Sequence, residues 1–412
     1  MKFLSYSLWL FLGLLFLHNT SKAQEKTEKS AEIKLSGYLQ MQYQKAQSAG
    51  ISSFSSGDFD KNSDERFMIR RGRIKVERID KFSNMTIQLD GTQNGVQIMD
   101  AFIEVTEPSK RQFAFTAGLF NRPFGYAIAY SSGDRNYPER PRVYQTIMPR
   151  ERDLGAMISY IPTGKLNFLR ADLALMNGTG ISARDFDSKK DLMGGLTFSF
   201  DSLANNKFDL GFGASFYEGY VRNNTQTIFR STPGQYLADV SVDNEGAYGE
   251  RDYIGAHVQL VFNNSFGKTS FKTEFVKGTQ PGVEGTDDIK GPASSMSFNK
   301  QPATSLYVRP FIGYYFWLEQ TLGRSNVTAI ASYDVYDANT DVSGNQIGRA
   351  SSNTSSGDIK YDTFGYGLAY NVNRQVKITL YNEHVKNEHT LLPNYTNDLK
   401  DNVFTARVQY RW

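Results

Sequence analysis

Arginine is the residue type in this chain best placed to do chemistry, and it falls in two concentrations. The first is Arg66-Phe67-Met68-Ile69-Arg70-Arg71-Gly72-Arg73-Ile74-Lys75-Val76. The second is the stretch 121–152, where Arg122, Arg135, Arg140, Arg142, Arg150 and Arg152 stand among Asp134, Glu139, Glu151 and, just beyond, Asp153. A guanidinium presents a planar fork of N–H donors, so it grips two oxygens of one anion at once. Both stretches are therefore candidate sites for oxyanions. Hydrolytic chemistry finds little support, because a triad needs a histidine beside its nucleophile. Past residue 23 only His257, His384 and His389 remain. The spacing of His384 and His389 is too weak for a metal site, and His257 reads as a polar wall residue. The chain is not expected to be an enzyme, and no catalytic residue, metal or cofactor is expected. Nor is nucleic-acid binding, since the basic residues alternate with apolar ones.

That alternation identifies the elements that must carry the arginines. In 66–76, Ile74 and Val76 share one face, and Arg71, Arg73 and Lys75 share the other. In the same phase Arg70 would point outward, where lipid would charge an arginine about 2–4 kcal/mol near the midplane. Either Arg70 sits at a rim, or a bulge near Gly72 changes the phase. Asp90, Asp100 and Glu104 could balance these cations and leave only a generic polar lumen. Pro123, Pro138, Pro141 and Pro149 stiffen the stretch 121–152, and Phe124, Tyr126, Tyr130, Tyr137 and Tyr144 let it pack. It is the candidate to fold inward as a constriction, its alternative being an outer cap whose arginines pair with local acids.

The chain ends Phe404-Thr405-Ala406-Arg407-Val408-Gln409-Tyr410-Arg411-Trp412, apolar on one face and polar on the other up to a terminal aromatic. An outer-membrane barrel needs this of its last strand, with lipid on one face and a watery lumen on the other. Outer-membrane assembly machinery would read the same segment. Alternation marks about sixteen strands between 32 and 412. The gaps between them are long and short by turns. Stretches such as 44–65, 121–152, 177–191, 218–251, 277–304 and 337–360 alternate with brief ones such as 80–84, 162–165 and 373–374. Short turns on one side and long loops on the other are expected of a transmembrane antiparallel β-barrel, all-β, with its turns periplasmic. The loops 218–251 and 277–304 are rich in Gly, Ser and Asn and read as mobile.

Lys2, the apolar run 8–17 and Ser21-Lys22-Ala23 read as a secretory signal over 1–23, cut after Ala23. Ten apolar residues are too few for a spanning helix. Residues 24–31 then form a short polar lead-in to a barrel domain over 32–412, in a bacterial outer membrane and in contact with its lipid. Cysteine is absent, which excludes a disulfide framework. Aromatics make up 14% and glycine numbers 35, which suits a barrel that shows hydrocarbon only half its residues. Net charge is +3, and loss of Lys2 and Lys22 with the leader would lower it to about +1. Any ion preference must therefore come from where charges sit. The lead-in is too short for the plug of an energised receptor.

Four segments, Phe67–Ile74 (FMIRRGRI), Asp100–Glu104 (DAFIE), Ala117–Gly125 (AGLFNRPFG) and Arg152–Ala156 (RDLGA), resemble the phosphate-selective porin O and P family. They occur in the family's order and cover the first half of the chain. The resemblance implies a sixteen-stranded, trimeric barrel with an infolded third loop and a cationic pathway for phosphate-like anions. Carried over by position, it points to Arg71 and Arg73 on the wall and Arg122 at the root of the loop. The near-neutral charge departs from a strongly basic pore. The expectation is passive diffusion of small anions past Arg71, Arg73 and Lys75 on one side and Arg122, Arg135, Arg140, Arg142, Arg150 and Arg152 on the other. A general or carbohydrate-selective porin, or an adhesive or structural barrel, are the alternatives.

Overall fold

The structure is a computed structural model and describes residues 31–181, 185, 187–286 and 304–412. The expected signal segment, nearly all of the lead-in and residues 287–303 of one long loop lie outside the described residues. Sixteen strands form one closed antiparallel barrel. They are β1 (Glu32–Ala46), β2 (Glu65–Ile79), β3 (Ser83–Thr92), β4 (Gly95–Thr106), β5 (Phe113–Asn121), β6 (Arg152–Tyr160), β7 (Leu169–Met176), β8 (Asp191–Ser202) and β9 (Phe208–Arg222). After a detour come β12 (Tyr248–Asn264), β13 (Gly267–Gly282), β14 (Leu306–Thr321), β15 (Val327–Asp337), β16 (Tyr361–Asn371), β17 (Val376–Asn387) and β18 (Val403–Arg411). Each pairs with its sequence neighbours, and β18 pairs with β1, from Tyr38↔Arg411 to Ala46↔Val403, which closes the cylinder. Closure leaves no edge with unpaired backbone groups, the condition for crossing hydrocarbon with strands.

The alternation read from the sequence is the inside–outside alternation of the wall. On β18, Thr405, Arg407 and Gln409 are buried inward, whereas Val408, Tyr410 and Trp412 lie exposed on the outer face. The connections segregate by end as expected: 80–82 and 265–266 are tight turns, and 47–64, 122–151 and 338–360 are long loops. Only 93–94 is short on the long-loop side.

The stretch 218–251 departs from the expected mobile loop. Strands β9 and β12 run on into it, and its middle folds into a hairpin, β10 (Thr227–Thr232) and β11 (Gln235–Val240). Its turn is Pro233-Gly234, with Gly234 at φ +86°, the chemistry a tight turn demands. Beside it, β10 runs parallel to the start of β14, Ile228 facing Leu306.

The loop between β5 and β6 turns inward. It carries two short helices, α1 (Gly125–Ala129) and α2 (Arg142–Ile147). Phe124, Ile128, Tyr137, Val143, Tyr144, Ile147 and Met148 are buried in one apolar cluster with wall residues that include Tyr253, Phe311, Tyr315, Trp317 and Tyr336. Tyr137 stacks on Trp317 with ring centroids 4.6 Å apart, and its hydroxyl donates to the carbonyl of Leu318 at 2.9 Å. At the start of α1 the Glu274 carboxylate of β13 accepts from the N–H groups of Tyr126 (2.9 Å) and Ala127 (3.0 Å). Gly125, at φ +65°, permits this approach: a Cβ there would lie 1.8 Å from the same carboxylate. The core of this barrel is thus the contact between an infolded loop and the wall from β6 to β17. The opposite wall, β1, β2 and β18, meets the same loop through buried polar side chains, Gln40, Arg71, Arg407 and Gln409 among them.

Candidate functional site

This polar side of the loop is where the arginines gather. Where β1 pairs with β2, the register steps from Gln40↔Arg71 to Met41↔Ile69, leaving Arg70 as the extra residue of a bulge. The bulge turns Arg70 inward beside Arg71, two residues before the Gly72 to which the phase argument had pointed. Both donate to Glu139 of the infolded loop: Arg70 through Nε and Nη2 at 2.7 Å each, Arg71 through Nη2 at 2.8 Å. Arg407 of β18 adds a third guanidinium at 3.0 Å, and Ser56 Oγ donates at 2.8 Å. Burial raises the Glu139 carboxyl, but Arg70, Arg71 and Arg407 outweigh it and hold it well below the ordinary range. It is a charged hub.

Next to the hub, Arg73 pairs with Asp90 of β3 at 3.1 Å. Arg152 opens β6 and reaches Asp100 of β4 with two nitrogens, at 3.0 and 3.3 Å, and Glu151 at 2.7 Å. Arg140 also pairs with Glu151 and donates to the carbonyls of Ala127 (2.6 Å) and Tyr130 (3.1 Å). Burial raises the Glu151 carboxyl, but Arg140 and Arg152 bring it down to about 2. In three sets of pairs this network sets six guanidiniums, Arg70, Arg71, Arg73, Arg140, Arg152 and Arg407, against four carboxylates, Asp90, Asp100, Glu139 and Glu151. Two positive charges are in excess.

Two chambers flank this network. The one toward the long loops encloses about 780 Å³ and is lined by Arg70, Arg71, Asp90, Glu139, Arg150 and Glu151 among others. The one toward the short turns encloses about 610 Å³ and is lined by Lys75, Asp100, Glu104, Arg122 and Arg152 among others. Arg73 and Arg140 line both. One comes from the wall and one from the loop, and the boundary of the two chambers that they share is here called the waist.

The remaining expected residues are placed as follows. Lys75 is half-exposed in the short-turn chamber and pairs with Glu77 at 3.0 Å. Arg122 pairs with buried Asp153 at 3.1 Å, and its Nε and Nη1 have no hydrogen-bond partner among the described residues. Arg135 donates to the carbonyls of Tyr137 and Pro138, at 3.1 and 3.3 Å, and pairs with no carboxylate among the described residues. Arg142 lies apart from both chambers. Its guanidinium is held over the rings of Phe54 (4.2 Å) and Tyr361 (3.3 Å), tying the infolded loop to two outer segments. Arg150 is exposed at the long-loop chamber.

Four residues of the candidate site were not singled out from the sequence: Glu139, Arg407, Gln40 and Gln42. Gln40 Nε2 donates to the Ser132 carbonyl at 2.9 Å, and Gln42 Oε1 accepts from Arg407 Nε at 2.9 Å. Their inward phase was readable. What brings them together is barrel closure, which sets the last strand beside the first.

No family model matches the chain, and no curated protein matches it. Solved structures do. The outer membrane channel DcaP of Acinetobacter baumannii is 13% identical over 95% of this chain and 100% of its own, with a TM-score of 0.55. The anion-selective porin from Comamonas acidovorans is 10% identical over 93% and 100%, with a TM-score of 0.53. The trimer form of OmpT of Vibrio cholerae is 8% identical over 93% and 100%, with a TM-score of 0.51. At such identities the likeness is one of fold: this chain has the sixteen-stranded barrel of outer-membrane porins.

Proposed function

We propose that this protein is an outer-membrane porin through which small anions diffuse passively, oxyanions such as phosphate and carboxylates foremost. One observation carries the reading: six guanidiniums meet four carboxylates around a waist bordered by Arg73 and Arg140. Fixed cations in excess raise the local anion concentration, and low-dielectric walls strengthen the effect. The carboxylates limit the depth of the well, so an anion is attracted and still released, as conduction requires. The resemblance to phosphate-selective porins supports the same class of solute. In this reading the protein sits in a bacterial outer membrane as a homotrimer, delivered there through recognition of 404–412.

The test is ion preference in planar bilayers. Purified protein in a KCl gradient should show a reversal potential of the sign set by chloride. Arg71→Ala with Arg73→Ala should move it toward zero, and phosphate should block chloride current. Cation preference, or none, would sink the arginine mechanism and leave a general or carbohydrate pore. A closed bilayer would point to an adhesive or structural barrel.

A further inference from the structure

We propose that the short-turn chamber favours oxyanions carrying an aromatic ring over small inorganic ones, an inference that rests on the anion-porin reading above. The 610 Å³ chamber lies within the roughly 300–1,000 Å³ of sites that hold small organic molecules. Beside the carboxylates Asp100 and Glu104, its lining offers two kinds of surface. Arg73, Arg140 and Arg152 supply guanidinium toward the waist, and Phe102, Tyr126 and His257 line the same space with aromatic surface.

These three rings come from different elements. Phe102 stands on β4, half-buried at the margin of the loop's apolar seat, and meets Phe120 edge-on with centroids 6.3 Å apart. Tyr126 belongs to α1, is half-buried, and packs beside Tyr130 at 5.1 Å and His257 at 6.3 Å. His257 projects from β12 and is only 5% exposed, yet neither ring nitrogen has a hydrogen-bond partner among the described residues. Gly213 on β9 leaves it room, since a Cβ there would lie 2.5 Å from His257 Nε2. Inorganic phosphate could use the arginines alone. An aromatic carboxylate could put its oxygens on a guanidinium and its ring against Phe102 or Tyr126, with His257 free to bond a ring substituent. Offset and edge-on ring contacts are the geometry such surfaces reward.

The experiment is block of chloride current by benzoate, acetate and inorganic phosphate in planar bilayers at pH 7.5. Benzoate should half-block at a concentration roughly 2- to 12-fold below that of acetate, the factor one favourable ring contact supplies. It should also outdo phosphate. In Phe102→Ser and Tyr126→Ser the benzoate-to-acetate ratio should fall toward one, and 4-hydroxybenzoate should lose any advantage over benzoate in His257→Phe. Equal block by benzoate and acetate in the unaltered protein, or a ratio that survives both serine variants, would overturn the proposal. The reversal potential of the unaltered protein in KCl is read first. If it shows no anion preference, the underlying anion reading has failed, which is a different result from an anion pore indifferent to rings.

Discussion

Replacing Glu139 by Gln separates the two jobs of the charged hub. The carboxylate accepts from Arg70, Arg71, Arg407 and Ser56, so it both fastens the infolded loop to the wall and cancels one positive charge at the waist. It is ionised at neutral pH, being held well below the ordinary range, so the substitution removes a full charge. Breaking a buried ion pair from one side costs about 3–5 kcal/mol. Against this stands the apolar seat. Phe124, Ile128, Val143, Tyr144, Ile147 and Met148 are each 1% exposed or less. At about 1.5–3 kcal/mol for each buried side chain, six such residues contribute about 9–18 kcal/mol. The seat wins, so the loop should stay in place and single-channel conductance should stay near its original value. The selectivity should change. An ion passing about one Debye length away (about 8 Å) feels one added unit charge as about 0.2 kcal/mol with screening and 0.5 kcal/mol without, at the dielectric of water. Anions and cations are shifted in opposite senses, so the anion-to-cation permeability ratio should rise roughly two- to fivefold. Reversal potentials in a KCl gradient measure it. A fall in that ratio, or a jump in conductance to that of an open barrel, would refute the reasoning.

The seat itself can be dislodged. Tyr137→Ser removes the stack on Trp317 and a hydrogen bond to Leu318, and loss of a large aromatic side chain from a core costs about 3–5 kcal/mol. With Ile128→Asp added, a charge is forced into the same cluster, and single-channel conductance should rise several-fold. Arg142→Ala should leave the reversal potential where it was, because Arg142 borders neither chamber. It should loosen the outer segments around Phe54 and Tyr361 by about 0.5–2 kcal/mol per lost ring contact, seen as faster proteolysis of the long loops. In the loop before β18, burial pushes the Asp401 carboxyl up to about 7, against the pull of Arg142. The folded value thus lies above the unfolded value of about 3.9. The neutral carboxyl favours the folded loop at low pH, and that contribution is lost as pH rises from about 4 to 7. Amide exchange in 388–402, corrected for intrinsic rates, should report more frequent opening at pH 7.5 than at pH 5, with the difference absent in Asp401→Asn.

The amino-acid order alone determined the wall. Period-two alternation in a segment such as 404–412 leaves the backbone one arrangement that puts apolar side chains in lipid and Arg407 and Gln409 in the lumen, so strand count, phase and the segregation of loop lengths were legible without coordinates. The awkward phase of Arg70 left a rim position or a bulge, and the register step between Gln40 and Met41 supplies the bulge. The hairpin in 218–251 was missed because its alternation is short and interrupted by Pro233-Gly234. The site was legible only in its residue types. Local sequence showed that 121–152 was rich in both guanidinium and carboxylate, but not which pairs would form. Arg142 reads much like Arg140, yet one is held between two rings and the other lines the waist. The partners of Glu139 come from β2 and from β18, which lie 69 and 268 positions away and meet only when the barrel closes. Pairing in a membrane strand is decided by neighbours in sequence and by the side of the sheet that meets lipid. Charge compensation inside the lumen is decided by distance in space, and closure and the seating of one loop set that distance.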